Sequence, residues 1–382
     1  MIVTVVCDVL GKENNGTTIA AMNLIRYLKR KGHEVRVLCA DADKKGEDGY
    51  FVVPNLNLGK ILNDYVERVG VTLAKPDDDV IREALTGADI AHVMVPLLLG
   101  LRATKIAREL GIALSAGFHM QAENLTSYFK VDKIRLANQA VYSFIYEHVY
   151  KYVDAIHYPT KFIRDVFETA IKHETPGFVI SNGVNAYVKK RFVEKPDEYK
   201  DKIVILSTGR YAREKAQDVL IKAVAISKHK DEIVLILGGQ GLKEKEYRKL
   251  AENVGVSPVF KFFSRTEIID VLNYSDMYVH PAKIELEGIS CIEAIACGKL
   301  TIVSDSPLAA TKDFAVDERC IFKCGDEADL ARVIDYWIDN PEVKAKTEQK
   351  YLASGIAFDQ EKCMEKMEQM LLEAIKNHKA GM

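Results

Sequence analysis

Charge imbalance is the first thing this sequence lacks. Over 382 residues, 53 Lys and Arg almost cancel 55 Asp and Glu, for a formal net charge of -2. A protein that works by neutralising many phosphates needs a basic excess, so nucleic-acid binding is not expected. A local basic face stays open. Long apolar runs are missing as well. No stretch of 18 apolar residues occurs, so no segment is expected to span a membrane, although the protein can still lie on one. The opening run MIVTVVCDVL has no basic region ahead of it and runs into Gly11 and a charged loop, so it reads as a first strand rather than a leader. Cysteine is sparse and odd in number: Cys7, Cys39, Cys291, Cys297, Cys320, Cys324 and Cys363. A chain of this length has a core without staples. No histidine stands at zinc-site spacing from Cys320 and Cys324. All seven are therefore read as small apolar side chains in a reducing compartment.

What is present reads as a soluble globular protein of about two domains, with 48% apolar and 28% charged residues. Strand-like runs alternate with helix-like ones: residues 2–6, 34–39, 90–95, 112–117, 155–159 and 178–183 against 17–30, 98–110 and 134–150. Continuous apolar strands between helices predict a parallel sheet covered on both faces. The polar stretch 189–201, with Pro196 and no periodicity, is the expected linker. The alternation restarts with strands at 202–209, 232–239, 259–263, 277–281 and 301–305 and a helix at 217–229. The expected organisation is one doubly wound domain over 1–188, a second over 202–352, and a helical tail over 353–382 that can pack on the first domain. Its apolar positions are Met364, Met367, Met370, Leu371 and Ile375.

Two doubly wound domains leave a cleft, and ligands bind beyond the carboxyl ends of such strands. Three loops there carry chemistry. GRYAREK, 209–215, places Arg210, Arg213 and Lys215 after a strand, where two cations suit a diphosphate. A solvated loop before a helix is the alternative. GGQG, 238–241, permits close approach of backbone to a ligand, or is a simple chain reversal. KIELEGISCIEAIACGK, 283–299, sets Glu285 and Glu287 on a glycine-broken loop and Glu293 on a helix expected to start near Ser290 and end at Gly298. Carboxylates suit vicinal diols because they only accept. Against that, Ser290 and Glu293 have capping-box spacing, which would account for Glu293 without function. Glu285 and Glu287 can equally be surface residues.

The last stretch resembles the Glu-x7-Glu motif of retaining glycosyltransferases of family 4, with the GT-B fold. HPAKIELEGISCIEAIACGK keeps Pro281, Glu285, Gly288, Glu293, Ala294, Ala296 and Gly298. Gly209, Arg210 and Lys215 resemble the family's Gly-Arg-x4-Lys element, and Ser181–Asn185 its Pro-Asn-Gly-Val-Asp element. Asn15–Gly16 sits where the family often has two glycines, and Ser264 where it often has one. The resemblance covers nearly the whole chain. It implies an α/β GT-B fold, two doubly wound Rossmann-like domains facing a deep cleft, and transfer of a hexose from a UDP-sugar with retention.

Carried onto this sequence, the resemblance puts Arg210 and Lys215 on the donor diphosphate, as preplaced cations for the leaving group. Glu293 would take the ribose hydroxyls, and Glu285 the hexose, with amides near Gly288 and Ile289. Gly16, Gly209 and Gly239 would lie close to the donor. His119, in SAGFHMQAEN, would position acceptor and sugar; the alternative is a histidine bonded within its loop. No cofactor and no metal are implied, since cations fill that place and no paired-carboxylate metal loop is present. The spelling Ile-Glu-Leu-Glu-Gly-Ile resembles bacterial diacylglycerol glycosyltransferases. SYFKVDKIRLANQAVYSFIYEHVYKYVD, 127–154, mixes Lys130, Lys133, Arg135 and Lys151 with Tyr128, Phe129, Tyr142, Phe144, Tyr146, Tyr150 and Tyr152. Such a mixture suits an anionic membrane surface; two ordinary packed helices are the alternative. The expected partners are a UDP-sugar and a diacylglycerol-type lipid, in the cytoplasm or on the inner face of the cell membrane. Alternatives are a soluble or polyprenyl-linked saccharide acceptor, a nucleotide-sugar epimerase, or a non-catalytic nucleotide-sugar binder.

Overall fold

A computed structural model describes the chain except residues 9, 11–15, 58, 60–72, 124–125, 127–133 and 382. Asn15, Asn124, Tyr128, Phe129, Lys130 and Lys133 thus lie outside the described residues. The chain divides into two units, residues 1–182 with 361–382, and residues 183–360. The polar stretch 189–201 falls in the second unit, and the C-terminal helix Gln360–Gly381 lies almost wholly in the first.

The first unit is built on a parallel sheet of seven strands: β1 (Ile2–Cys7), β2 (Glu34–Cys39), β3 (Tyr50–Val52), β4 (Ile90–Val93), β5 (Ala113–Gly117), β6 (Ala155–Tyr158) and β7 (Gly177–Val179). Their order is β3-β2-β1-β4-β5-β6-β7. The reversal of direction at β1 is that of a doubly wound sheet. Strands β4, β5 and β6 are buried along their whole length, which is why they read as mostly apolar runs, interrupted by His92, Ser115 and His157. The C-terminal helix adds Met364, Met367, Met370 and Leu371 to the core against Tyr27, Leu28, Val35 and Val37. It is pinned there by Tyr27 and His33, which bond Glu368 at 2.9 and 2.7 Å.

The second unit repeats the plan with β8 (Ile203–Thr208), β9 (Ile233–Gly238), β10 (Val259–Lys261), β11 (Met277–His280), β12 (Thr301–Ser304) and β13 (Ile321–Phe322), ordered β10-β9-β8-β11-β12-β13. All the pairings are parallel. Helices 217–226, 289–296, 327–339 and 341–355 contribute buried faces to its core around Trp337, Tyr351 and Leu220. β8 and β11 are neighbours, with Tyr278 beside Leu206. Their carboxyl ends therefore open side by side onto the loops 209–216 and 281–288.

Candidate active site

Both loops are braced. After β8, the turn Arg213–Lys215 leads to Ala216, whose φ of +52° is unusual for a residue with a side chain, and then to helix 217–226. Gln217 donates to the Arg210 carbonyl at 2.9 Å, and the Tyr247 hydroxyl donates to the Ala212 carbonyl at 3.0 Å. The Glu214 carbonyl accepts from Lys283 N–H at 2.7 Å, stitching the two loops together. A freely solvated charged loop is excluded. The glycines of GGQG serve the same packing. A side chain on Gly239 would put its Cβ 2.0 Å from the Gly209 carbonyl oxygen, so backbone crowding alone demands glycine there.

Lys215 pairs with Glu285, and both are largely buried, at 19% and 13% side-chain exposure. His280 Nε2 reaches the same oxygen, Glu285 Oε2, at 2.9 Å. Burial pushes the Glu285 carboxyl up, but Lys215 and His280 outweigh it and hold its pKa far below the usual carboxylate range. Arg210 lies at the rim, 46% exposed, with a long contact of 3.4 Å to Glu214.

Helix 289–296 starts one residue before the expected Ser290. Gly288 is its N-cap with φ +83°, a conformation glycine adopts without strain. No side chain caps it, and Ser290 Oγ instead faces the Thr208 carbonyl at 3.5 Å. The capping box that the Ser290–Glu293 spacing offers as the alternative does not form. One forms at Ser264 and Glu267, opening helix 265–274. The serine that replaces a common family glycine thus has a structural task. Glu293 is 8% exposed and bonds Arg265 at 2.6 Å. Burial raises its pKa, and Arg265 only partly opposes the rise. Glu287 is buried too, so neither it nor Glu285 is the surface residue that the spacing alone allows.

Gly209, Arg210, Lys215, Gly239, Glu285, Gly288, Ile289 and Glu293 therefore all belong to the second unit, at the carboxyl ends of β8, β9 and β11. Gly16 and His119 belong to the first. Gly16 is exposed at the start of helix 16–30. His119 follows β5; its Nε2 is buried and has no partner among the described residues, and its ring meets that of His157 edge-on at 5.3 Å. Burial, with His157 and His92 nearby, holds its pKa well below the ordinary value. Sequence reasoning missed His280 and Arg265. A histidine closing a strand five residues before a motif glutamate, and an arginine opening a capped helix, were the only signals.

The aromatic run after residue 127 divides. Tyr142 and Tyr150 are buried at 2% around Phe118 and Phe167, so they are core and not surface. Lys151 pairs with Glu147, and Arg108 stacks on Tyr152 at 3.5 Å. What helix 135–148 does expose is Leu136 at 80%, Phe144 at 48% and Ala140 between them, with Ile134 just ahead. Among the described residues no cluster is placed to hold a metal ion, and no helix is long and apolar enough to cross a membrane.

Two family models match. "Glycosyltransferase Family 4" covers residues 14–187, and "Glycosyl transferases group 1" covers residues 188–351. Alpha-monoglucosyldiacylglycerol synthase of Streptococcus pneumoniae is 24% identical over 233 residues, 57% of this chain and 52% of the relative. The chain spans about half the length of the curated relatives it matches. Among solved structures, Anabaena Alr3699/HepE in complex with UDP-glucose is similar at 17% identity and a TM-score of 0.74, covering 97% of this chain and 99% of that one. WaaG, a glycosyltransferase involved in lipopolysaccharide biosynthesis, is similar at 17% identity and a TM-score of 0.73, covering 96% and 98%. With its two units matched by consecutive models of one enzyme group and folded as GT-B proteins are, the chain belongs to the family 4 glycosyltransferases.

Proposed function

We propose that the protein transfers a hexose from a UDP-sugar to an acceptor hydroxyl, with retention at the anomeric carbon. The observation that carries this is the Lys215–Glu285 pair, buried and braced at the carboxyl ends of β8 and β11. Such a pair holds a cation in a low-dielectric place without letting a loose lysine collapse onto solvent. In the proposed complex Lys215 and Arg210 face the diphosphate and stabilise the charge that builds on the leaving UDP. Glu293 accepts from the ribose diol, Glu285 from the hexose, and backbone amides at Gly288 and Ile289 lie beside the donor. Gly16 lets the first loop approach the donor, and His119 positions acceptor and sugar. Incubating the chain with UDP-glucose, UDP-galactose and UDP-N-acetylglucosamine, with acceptors present and absent, tests this. Release of UDP with a glycosylated product supports it. An epimerised UDP-sugar, or binding without turnover, favours the isomerase or the non-catalytic reading.

For the acceptor, a soluble or polyprenyl-linked saccharide of polysaccharide or glycoconjugate synthesis has the broader support, the likeness to WaaG among it. A diacylglycerol-type lipid is the second reading. It is supported by the relative from Streptococcus pneumoniae and by the exposed Leu136–Ala140–Phe144 stripe, which suits the headgroup boundary of an anionic bilayer. Lys130 and Lys133 stand close in sequence to that stripe. Product identification with lipid and sugar acceptors side by side separates the two readings.

A further inference from the structure

Lys215 is not the only group that holds Glu285. His280, the last residue of β11 and buried, also bonds its Oε2. On the other side of the ring, His280 Nδ1 lies 3.3 Å from the Tyr278 hydroxyl, and that hydroxyl lies 3.0 Å from Thr208 Oγ1. Tyr278 and His280 are two residues apart on one strand and so share a face. Thr208 closes the adjoining strand. A row of side chains thus runs Thr208, Tyr278, His280, Glu285, from sheet interior to loop.

The chemistry of the row sets its protons. An ionised carboxylate only accepts, so Nε2 of His280 carries the hydrogen. With that hydrogen in place Nδ1 is free to accept from the Tyr278 hydroxyl, which in turn shares a hydrogen bond with Thr208. Each buried polar group is satisfied, and the imidazole can turn neither way without leaving one unpaired. The Glu285 backbone is equally fixed: its N–H donates to the Leu308 carbonyl at 3.1 Å, and its carbonyl accepts from Ala310 N–H at 2.8 Å. Lys215 and His280 both take Oε2. Among the described residues Oε1 takes no bond and is the oxygen left for a ligand.

We propose that His280 is a positioning residue. Its Nε2–H fixes the Glu285 carboxylate so that Oε1 is presented to a hydroxyl of the transferred hexose. This rests on the donor-site reading above. Lys215 cannot do the same alone, because an ammonium on a four-carbon stem attracts a carboxylate without fixing its plane. A buried histidine that merely fills the core is the competing explanation.

The test compares His280→Ala, His280→Gln and Tyr278→Phe in the full chain, checked for folding by circular dichroism. Glutamine can offer an N–H to the same carboxylate. Binding of UDP and of the active UDP-hexose is titrated, and kcat and KM for transfer are measured. His280→Ala should leave UDP affinity within about 2-fold, weaken UDP-hexose by roughly 10-fold, as for one lost bond to a charged group, and lower kcat/KM further. His280→Gln should recover most of both. Tyr278→Phe should cost kcat/KM only about 3-fold, since the ring remains but its orientation is less constrained. Wild-type rates in His280→Ala overturn the proposal, as does equal weakening of UDP and UDP-hexose with no recovery in His280→Gln. A wild-type chain that binds no UDP-hexose overturns the donor-site reading itself, and the proposal with it, before any variant is made.

Discussion

Replacing Glu293 separates a ligand-binding carboxylate from a structural one. The side chain is 8% exposed, and its one bond among the described residues, at 2.6 Å, goes to an arginine that is 45% exposed. Burial raises its pKa despite that arginine, so the folded protein holds an ionised group at a cost. A buried ion pair kept for stability would lose about 3–5 kcal/mol when one partner is removed. Here the remaining Arg265 can rehydrate, and the desolvation cost of the carboxylate vanishes. Glu293→Ala should therefore change stability by no more than about 1 kcal/mol. Its effect on UDP should be large. Two bonds from a ribose diol to a carboxylate are together worth about 2–4 kcal/mol, or roughly 30- to 1000-fold in Kd. Glu293→Gln keeps the volume and one acceptor and should lose about 10-fold. Isothermal titration with UDP gives the numbers, and 2′-deoxy-UDP gives the control, because the variants should approach wild type on a ligand with one hydroxyl missing. Unchanged UDP affinity with a lowered melting temperature would refute the reasoning and leave Glu293 as a partner of Arg265 alone.

Lys215→Ala should lower kcat/KM by at least about 100-fold, as removal of a charge-stabilising group does; steady-state kinetics checks it, and equal turnover contradicts it. Asp8, buried at the end of β1, accepts from Leu99 and Gly100 N–H at 3.0 and 3.2 Å, yet burial pushes its pKa up to about 6. The folded state thus keeps a proton that the unfolded state loses near pH 4, so stability is full below that pH and falls as pH rises through 6. The loss is at most about 3 kcal/mol. Thermal denaturation from pH 4 to 7 should show this slope in wild type and a flatter one in Asp8→Asn. Leu136→Asp with Phe144→Asp should abolish binding to anionic vesicles while sparing transfer to a soluble acceptor; vesicle binding that survives removes the stripe as a membrane contact.

How much of this was legible in the sequence follows from where each contact lies. Buried parallel strands are mostly apolar runs, so β4, β5, β8, β9 and β12 were readable despite the buried His92 and Ser115 inside two of them. β3 and β13, of three and two residues, carry too little pattern to register. The spacing Ser-x-x-Glu occurs at Ser264–Glu267 and at Ser290–Glu293, and the second, beside the motif, is the one that does not cap. What decides is Gly288, which takes the N-cap place and leaves Ser290 inside the helix. Counting aromatics in 127–154 did not tell inside from outside. Tyr142, Ile145 and Val149 share one helix face and are core, while Leu136, Ala140 and Phe144 share the other. His280 and Arg265 meet their glutamates through strand register and helix placement, which local sequence does not encode.

A crystal structure of the chain with UDP-glucose bound tests the central claim most directly. The account predicts ribose hydroxyls on Glu293, the diphosphate against Arg210 and Lys215, and a hexose hydroxyl on Glu285 Oε1. A nucleotide bound away from the ends of β8 and β11, or bound there with these four side chains turned from it, would contradict it.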